Sequence, residues 1–259
     1  YRVVAKLGTG GFGTVHRAAH PGIGREAAVK VLNRAMSSNP AIVSRFMSEA
    51  RAAAKIKSDH IVDIFSFGAL EDGRSFYVME LLEGQAFDDY IARRGQVGLR
   101  NLFTILYDVA LALDGAHAQD IVHRDLKPAN VFVMRRGTVR AKLLDFGVAK
   151  LLGDGDYGHQ TASGAPIGTP VYMAPEQCLG LEVDPSVDIY ALGAMLFEAL
   201  TGQAPFAAQS FVQLANMHAS KPPPRLATLR PELGDALDEA LGKMLAKAPE
   251  DRPRSATEA

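Results

Sequence analysis

The 259-residue sequence predicts an α+β protein of two lobes. Residues 1–82 read as a small N-terminal lobe with a five-stranded antiparallel sheet and one helix, residues 83–259 as a larger, mainly helical lobe. Three observations predict this. Apolar runs of strand length, separated by turn formers, fill the first 82 positions and are interrupted by a single amphipathic helix pattern. After Met79-Glu-Leu-Leu-Glu-Gly84 the pattern changes to long helical stripes. A hydrophobic content of 47% suffices for one large core or two modest ones, and the change of pattern favours two.

Charge and cysteine usage narrow the function classes. Lys+Arg of 28 against Asp+Glu of 29 leave a net charge of −1, which removes any bulk electrostatic case for nucleic acid or an anionic membrane. Partners must therefore be recognised at a site. The single cysteine, Cys178, cannot form an internal disulfide and fits a reducing, cytoplasmic setting. The longest apolar stretches, Leu102 to Leu113 and Ile189 to Leu200, are each broken by an acid and too short to cross a bilayer, so no membrane contact is expected of this segment. The opening at Tyr1 in a strand pattern and the end at Ala259, in what reads as an unfinished helix, suggest a domain excised from a longer chain whose anchor, if it has one, lies elsewhere.

In order, Tyr1 to Leu7 reads as a strand feeding Gly8-Thr-Gly10-Gly-Phe-Gly13-Thr-Val15. A dinucleotide fingerprint would open a helix at the third glycine. Here Thr14 to Ala18 runs instead to the turn formers Pro21-Gly22 and Gly24, which reads as a hairpin. Such a glycine hairpin suits a flap over phosphates, because a main chain without Cβ atoms can approach an anion; a plain flexible turn is the competing reading. The next strand, Ala27 to Leu32, places Lys30 in an apolar run, where an ammonium needs a counter-charge. A helix from Pro40 to Lys57 offers one: Ile42, Phe46, Glu49, Ala53 and Ile56 share its inward face, and Lys30 and Glu49 are expected to pair. Strands at Ile61 to Leu70 and Ser75 to Leu81 follow. An amphipathic helix from Leu99 to Gln119 carries Leu99, Leu102, Phe103, Leu106, Val109, Leu113 and Ala116 as its core stripe.

The stretch Ile121-Val-His-Arg-Asp-Leu-Lys-Pro-Ala-Asn-Val131 puts an acid, a cation and an amide at fixed offsets: Asp125, Lys127 and Asn130. Strands at Val131 to Val133 and Ala141 to Leu144 would bring Asn130 and Asp145 to adjoining ends of a hairpin. Asp145-Phe-Gly147 then opens a glycine-rich loop that ends at Glu176. Val187 to Leu200 is apolar all round, as a helix buried on every side must be, with Asp188 at its start able to cap backbone donors and Gly202 at its end. Helices near Ser210 to Ala219 and Pro231 to Ala246 flank Pro222-Pro-Pro224.

His123-Arg-Asp-Leu-Lys-Pro-x-Asn130 followed by Asp145-Phe-Gly147 resembles the catalytic loop and metal-binding segment of protein kinases. With residue frequencies near 1 in 20, seven specified letters coincide on the order of 10⁻⁹ per position. The resemblance extends over essentially the whole chain and implies a bilobal kinase fold and specific roles. Gly8, Gly10, Gly13, Val15 and Ala28 would belong to the nucleotide site, Lys30 would hold the α- and β-phosphates of ATP, and Glu49 would orient Lys30. Met79 would guard the back of the pocket while backbone groups of Glu80 and Leu82 meet the adenine edge. Asn130 and Asp145 would bind Mg²⁺, Asp125 would accept the proton of the attacking hydroxyl, and Lys127 would lend positive charge. Asp188 would brace the catalytic loop, and Arg252 of Asp251-Arg-Pro253 would pair with Glu176.

The segment Gly168-Thr-Pro-Val-Tyr-Met-Ala-Pro-Glu176 is similar to a kinase protein-substrate platform, with Thr169 touching Asp125 and Lys127. Arg124 and Lys150 would receive a phosphate placed on Thr161 or Ser163. Lysine and proline after the catalytic acid imply protein substrates bearing serine or threonine. Gln177 and short loops resemble bacterial serine/threonine kinases of the eukaryotic-like type, autophosphorylating in trans as a homodimer. Two alternatives stand beside this: an ATP-binding pseudokinase scaffold, which would be expected to lack Lys30, Asn130 or Asp145, and a small-molecule kinase, which would lack the platform. The departures are small: Val-Phe replaces the more usual Ile-Leu after the catalytic loop, and the chain stops before a last helix could finish.

Overall fold

The computed structural model describes residues 1–94, 97–135, 137–146 and 170–259. Strands β1 (Arg2–Thr9), β2 (Gly13–Ala19) and β3 (Glu26–Leu32) are followed by a short helix α1 (Arg34–Ser37), helix α2 (Pro40–Lys55) and strands β4 (Ile64–Ala69) and β5 (Ser75–Met79). The five strands form one antiparallel sheet in the order β1-β2-β3-β5-β4, as expected. No helix opens at Gly13. Gly10 N–H donates to the Gly13 carbonyl at 2.8 Å to close the hairpin, and a Cβ on Gly13 would collide with the Val31 carbonyl, so only glycine lets β2 lie this close to β3. Helix α2 starts where Asn39 Oδ1 accepts from Ala41 N–H at 2.9 Å, ahead of a proline at the first position, a strong N-terminal signal. Its buried face is Phe46, Ala50 and Ala53.

The second half begins with an element that sequence periodicity did not indicate, β6 (Gly84–Ala86), too short to show any alternation. It pairs with β7 (Val131–Met134), which pairs with β8 (Arg140–Leu143) in a small three-stranded sheet. Helices α3 (Phe87–Arg94) and α4 (Leu99–His117) lie between β6 and β7. The stripe of α4 differs in detail from expectation. Leu102, Ile105, Leu106, Val109, Ala112, Leu113 and Ala116 are buried, whereas Leu99 and Phe103 are each 43% exposed, because Ile105 and Ala112 rotate the packed face away from them.

After β8 come, among the described residues, α5 (Pro175–Cys178), α6 (Ser186–Thr201), α7 (Phe211–Ser220), α8 (Leu226–Leu229) and α9 (Asp235–Met244). Helix α6 is buried continuously from Val187 to Phe197 and stops at Gly202, whose φ of 75° supplies the left-handed cap. The helix expected from Pro231 divides at Gly234, where φ is 79°, so only α9 is regular. No helix forms at the chain end: the amides of Ala256 and Thr257 donate to the Asp114 carboxylate at 2.8 and 3.1 Å, and a side chain thus takes donors that a helix would have used.

One apolar cluster runs without a break from Leu32 and Phe46 through Leu143 and Phe146 to α6, so both halves share their main core. A smaller cluster of Ala18, Ala27, Val29, Val31 and Val78 lies apart from it in the five-stranded sheet. Among the described residues no helix is long and apolar enough to cross a membrane.

Candidate active site

Asp188 organises the loop that carries the candidate residues Asp125, Lys127 and Asn130. Fully buried at the start of α6, it uses its carboxylate not on its own helix but on the loop: His123 N–H reaches Oδ2 and Arg124 N–H reaches Oδ1, both at 2.8 Å, and His117 Nε2 lies 2.8 Å from Oδ2. These bonds hold Arg124 at φ 66°, a left-handed conformation that costs a non-glycine residue about 1–3 kcal/mol unless its surroundings impose it. The Arg124 carbonyl in turn accepts from Gln177 Nε2 at 3.0 Å, so α5 grips the loop from the other side.

Held in this way, the loop brings its candidate side chains together. Lys127 Nζ lies 2.8 Å from Asp125 Oδ2, and Asn130 Nδ2 donates to the Asp125 carbonyl at 2.8 Å. A single 3-10 turn, Pro128–Asn130, brings the amide back over the acid. Leu144 N–H donates to the Asn130 carbonyl at 2.8 Å, and Val131 pairs with Leu143, so Asn130 and Asp145 do stand at adjoining hairpin ends. Phe146 is fully buried against the His123 ring, centroids 4.9 Å apart, which fixes the backbone beside Asp145.

The lysine pocket corrects one expectation. Lys30 forms its ion pair with Asp145 Oδ2, not with Glu49. Helix periodicity does set Glu49 inward, half-buried and close enough for its charge to act on Tyr77. Periodicity assigns a face, however, and not a distance, and the turn after β8 delivers Asp145 directly to the ammonium. Tyr77, which no motif singled out, completes the arrangement: its hydroxyl donates to Asp145 Oδ1 at 3.0 Å. Burial disfavours the Asp145 carboxylate, yet the Lys30 charge and hydrogen bond and the Tyr77 hydroxyl outweigh it and hold the carboxyl below its ordinary value. Burial, then the Asp145 charge, push the Tyr77 phenol well above its own, so it remains a donor.

Around this pair, Val15 lies opposite Lys30 across β2 and β3, and Ala28 opposite Met79 across β3 and β5. Gly8 and Gly10 face open space. At the end of β5 the Glu80 N–H donates to the Asp63 carbonyl at 2.9 Å, and its side chain accepts from Asp63 N–H at 2.9 Å and from Lys142 on β8. Leu82 is half-buried just beyond. The pairing expected of Arg252 is present: its guanidinium meets Glu176 at 2.6 and 2.9 Å with both side chains buried. Lys150, Thr161, Ser163 and Thr169 lie outside the described residues.

The chain is similar to known proteins over nearly its whole length. A family model described as protein kinase domain matches residues 1–259. The serine/threonine-protein kinase Pkn1 of Myxococcus xanthus is 41% identical over 254 residues, covering 97% of this chain and 36% of the relative. Serine/threonine-protein kinase PknA of Mycobacterium tuberculosis is 38% identical over 259 residues, covering 98% and 58%. The chain thus spans about a third to three fifths of the length of these relatives. Among solved structures, a double mutant of the Mycobacterium tuberculosis PknI kinase domain superposes with a TM-score of 0.76 at 30% identity, covering 99% of this chain and 91% of the other.

Proposed function

Because the chain belongs to the protein kinase domain family, we propose that it transfers the γ-phosphoryl group of ATP to serine or threonine hydroxyls of proteins. The observation that carries this reading is the junction of Asp125, Lys127, Asn130 and Asp145 through one hairpin, opposite Lys30. Phosphoryl transfer demands positioning and charge neutralisation more than covalent chemistry, and these residues supply both. The Asp125 carboxylate, steered by Lys127, aligns the attacking hydroxyl and takes its proton. Lys30 is the phosphate cation.

The nucleotide lies between residues 1–82 and 83–259 under the Gly8, Gly10 and Gly13 hairpin, against Val15 and Ala28. With the Glu80 N–H committed to Asp63, its carbonyl and the Leu82 backbone are the groups left to hold the adenine edge, and Met79 closes the back. Asn130 and Asp145 fit Mg²⁺: both present hard oxygens, and donation of Asn130 Nδ2 to the Asp125 carbonyl leaves its Oδ1 as the ligand atom. When bound, the ion neutralises phosphate charge. Phosphate on Thr161 or Ser163, added by a second copy and held by Arg124 and Lys150, is the proposed activating signal, with Thr169 on the substrate platform. A non-catalytic scaffold is disfavoured by the retention of Lys30, Asn130 and Asp145.

The test is radiolabel transfer from ATP to the domain itself and to a generic basic protein, with phosphosites mapped by mass spectrometry. Asp145→Asn is expected to abolish transfer. Equal labelling by wild type and Asp145→Asn, or none by wild type, overturns the assignment.

A further inference from the structure

A tyrosine in a strand reads as core, and the Tyr77 ring is core: it is 3% exposed and packs on Phe46 of α2 with centroids 5.0 Å apart. Its hydroxyl does something else. Lys30 stands directly opposite Tyr77 in the β3–β5 register, so cation and phenol leave the sheet on one face, with Lys30 Nζ 5.7 Å from the ring centroid. The two then divide the Asp145 carboxylate between them, Lys30 at Oδ2 and Tyr77 at Oδ1. One holder is charged and on a flexible stem. The other is neutral, and its ring is locked by packing.

We propose that Tyr77 is a positioning residue for Asp145, retaining Oδ1 while Lys30 turns from Oδ2 to a phosphate, so that Oδ2 meets the divalent cation without the carboxylate rotating away. This rests on the assignment of Asp145 as a metal ligand. Asp145 lies just past the end of β8, and a carboxylate held by the lysine alone would be free about both side-chain torsions once that lysine turned away. A phenol can keep one oxygen in place without competing for the cation, since it adds no charge. A second lysine in its place would repel the ion it was meant to help bind. Phe46 extends the device to α2: by locking the ring, that helix sets where the hydroxyl stands.

The experiment uses Tyr77→Phe, which keeps the ring and its packing and removes only the hydroxyl. Metal-free adenosine binding is measured first. Mg²⁺ is then titrated into protein saturated with a non-hydrolysable ATP analogue, and the rise in thermal midpoint reports half-saturation; the Mg²⁺ dependence of the rate is read in parallel. Expected are unchanged adenosine affinity and a half-saturating Mg²⁺ concentration raised on the order of 10-fold, as for loss of a partner that orients a metal ligand. Phe46→Leu, which loosens the ring and spares the hydroxyl, gives a smaller rise in the same direction. An unchanged Mg²⁺ requirement in Tyr77→Phe, or an equal loss of adenosine and Mg²⁺ binding, overturns the proposal. Asp145→Asn in the same titration separates the two levels: if it too leaves half-saturation unchanged, the metal-ligand assignment falls and this proposal with it.

Discussion

Arg252 with Glu176 and Lys30 with Asp145 are each a cation and a carboxylate brought together from positions 76 and 115 residues apart, yet they stand in opposite surroundings. Arg252 is sealed. Its side chain is 0% exposed and that of Glu176 7%, and the guanidinium spends its other donors on the carbonyls of Ala246, Lys247 and Ser186. In the cleft pair, the Asp145 side chain is 40% exposed and its second oxygen is shared with a phenol. A pair with every donor satisfied and no solvent has nothing to exchange, so it serves the scaffold beneath α5 and α6. A half-open pair can trade partners, which phosphoryl transfer requires.

The largest expected effect separates the two in stability. Arg252→Met leaves Glu176 buried and uncompensated and should cost about 3–5 kcal/mol, seen as a fall in thermal midpoint of roughly 10 °C. Adding Glu176→Leu should restore part of it. Lys30→Met should cost within about 1 kcal/mol, because water can reach Asp145. Similar melts for the two single variants would break the comparison.

In rate the order reverses. Lys30→Met is expected to slow transfer by about 10²-fold or more while sparing adenosine binding, since the lysine acts on phosphate position. A parallel loss of rate and adenosine affinity would mean that the cleft pair is scaffold as well.

The smallest effect is a pH slope that begins in the sealed region. Burial and the neighbouring Lys247 ammonium push His218 down from 6.5 to about 4, while its Nδ1 lies 2.9 Å from the Tyr190 hydroxyl. Between pH 6.5 and 4 the unfolded chain therefore takes up a proton that the folded chain refuses, and stability falls as pH drops through that window. Asp145, held below its ordinary value of 3.8, adds a slope of the same sign, but mainly at and below the lower end of that window, where the unfolded carboxyl takes up its proton. Urea melts of His218→Phe should show a flatter pH dependence than wild type, and an identical slope would assign the effect elsewhere.

Some of these features were legible in the sequence because they are local. Asp125, Lys127 and Asn130 meet within one turn of chain, so their spacing alone brings them together. The sheet strands followed from apolar runs of strand length and turn residues, and α6 from an apolar pattern on all faces. Strand β6 was not legible, since three residues carry no period. Gln177 could have been suspected from its place three residues past the α5 N-cap, but the Arg124 carbonyl it holds lies 53 residues away.

The sequence by itself determined which charged groups must find partners. Lys30 in an apolar run and Asp188 at the head of a buried helix cannot stand uncompensated, whatever the fold. Tertiary structure alone decided which partners they found. Periodicity put Glu49 on the correct face of α2, but a face is a direction. Which carboxylate lies within reach of Lys30 depends on how α2 packs on the sheet and where the turn after β8 sets Asp145 down. Tyr77 was decided in the same way. Its ring is specified by the core, but its hydroxyl acquires a role only because the β3–β5 register and the β8 hairpin bring Asp145 within 3.0 Å.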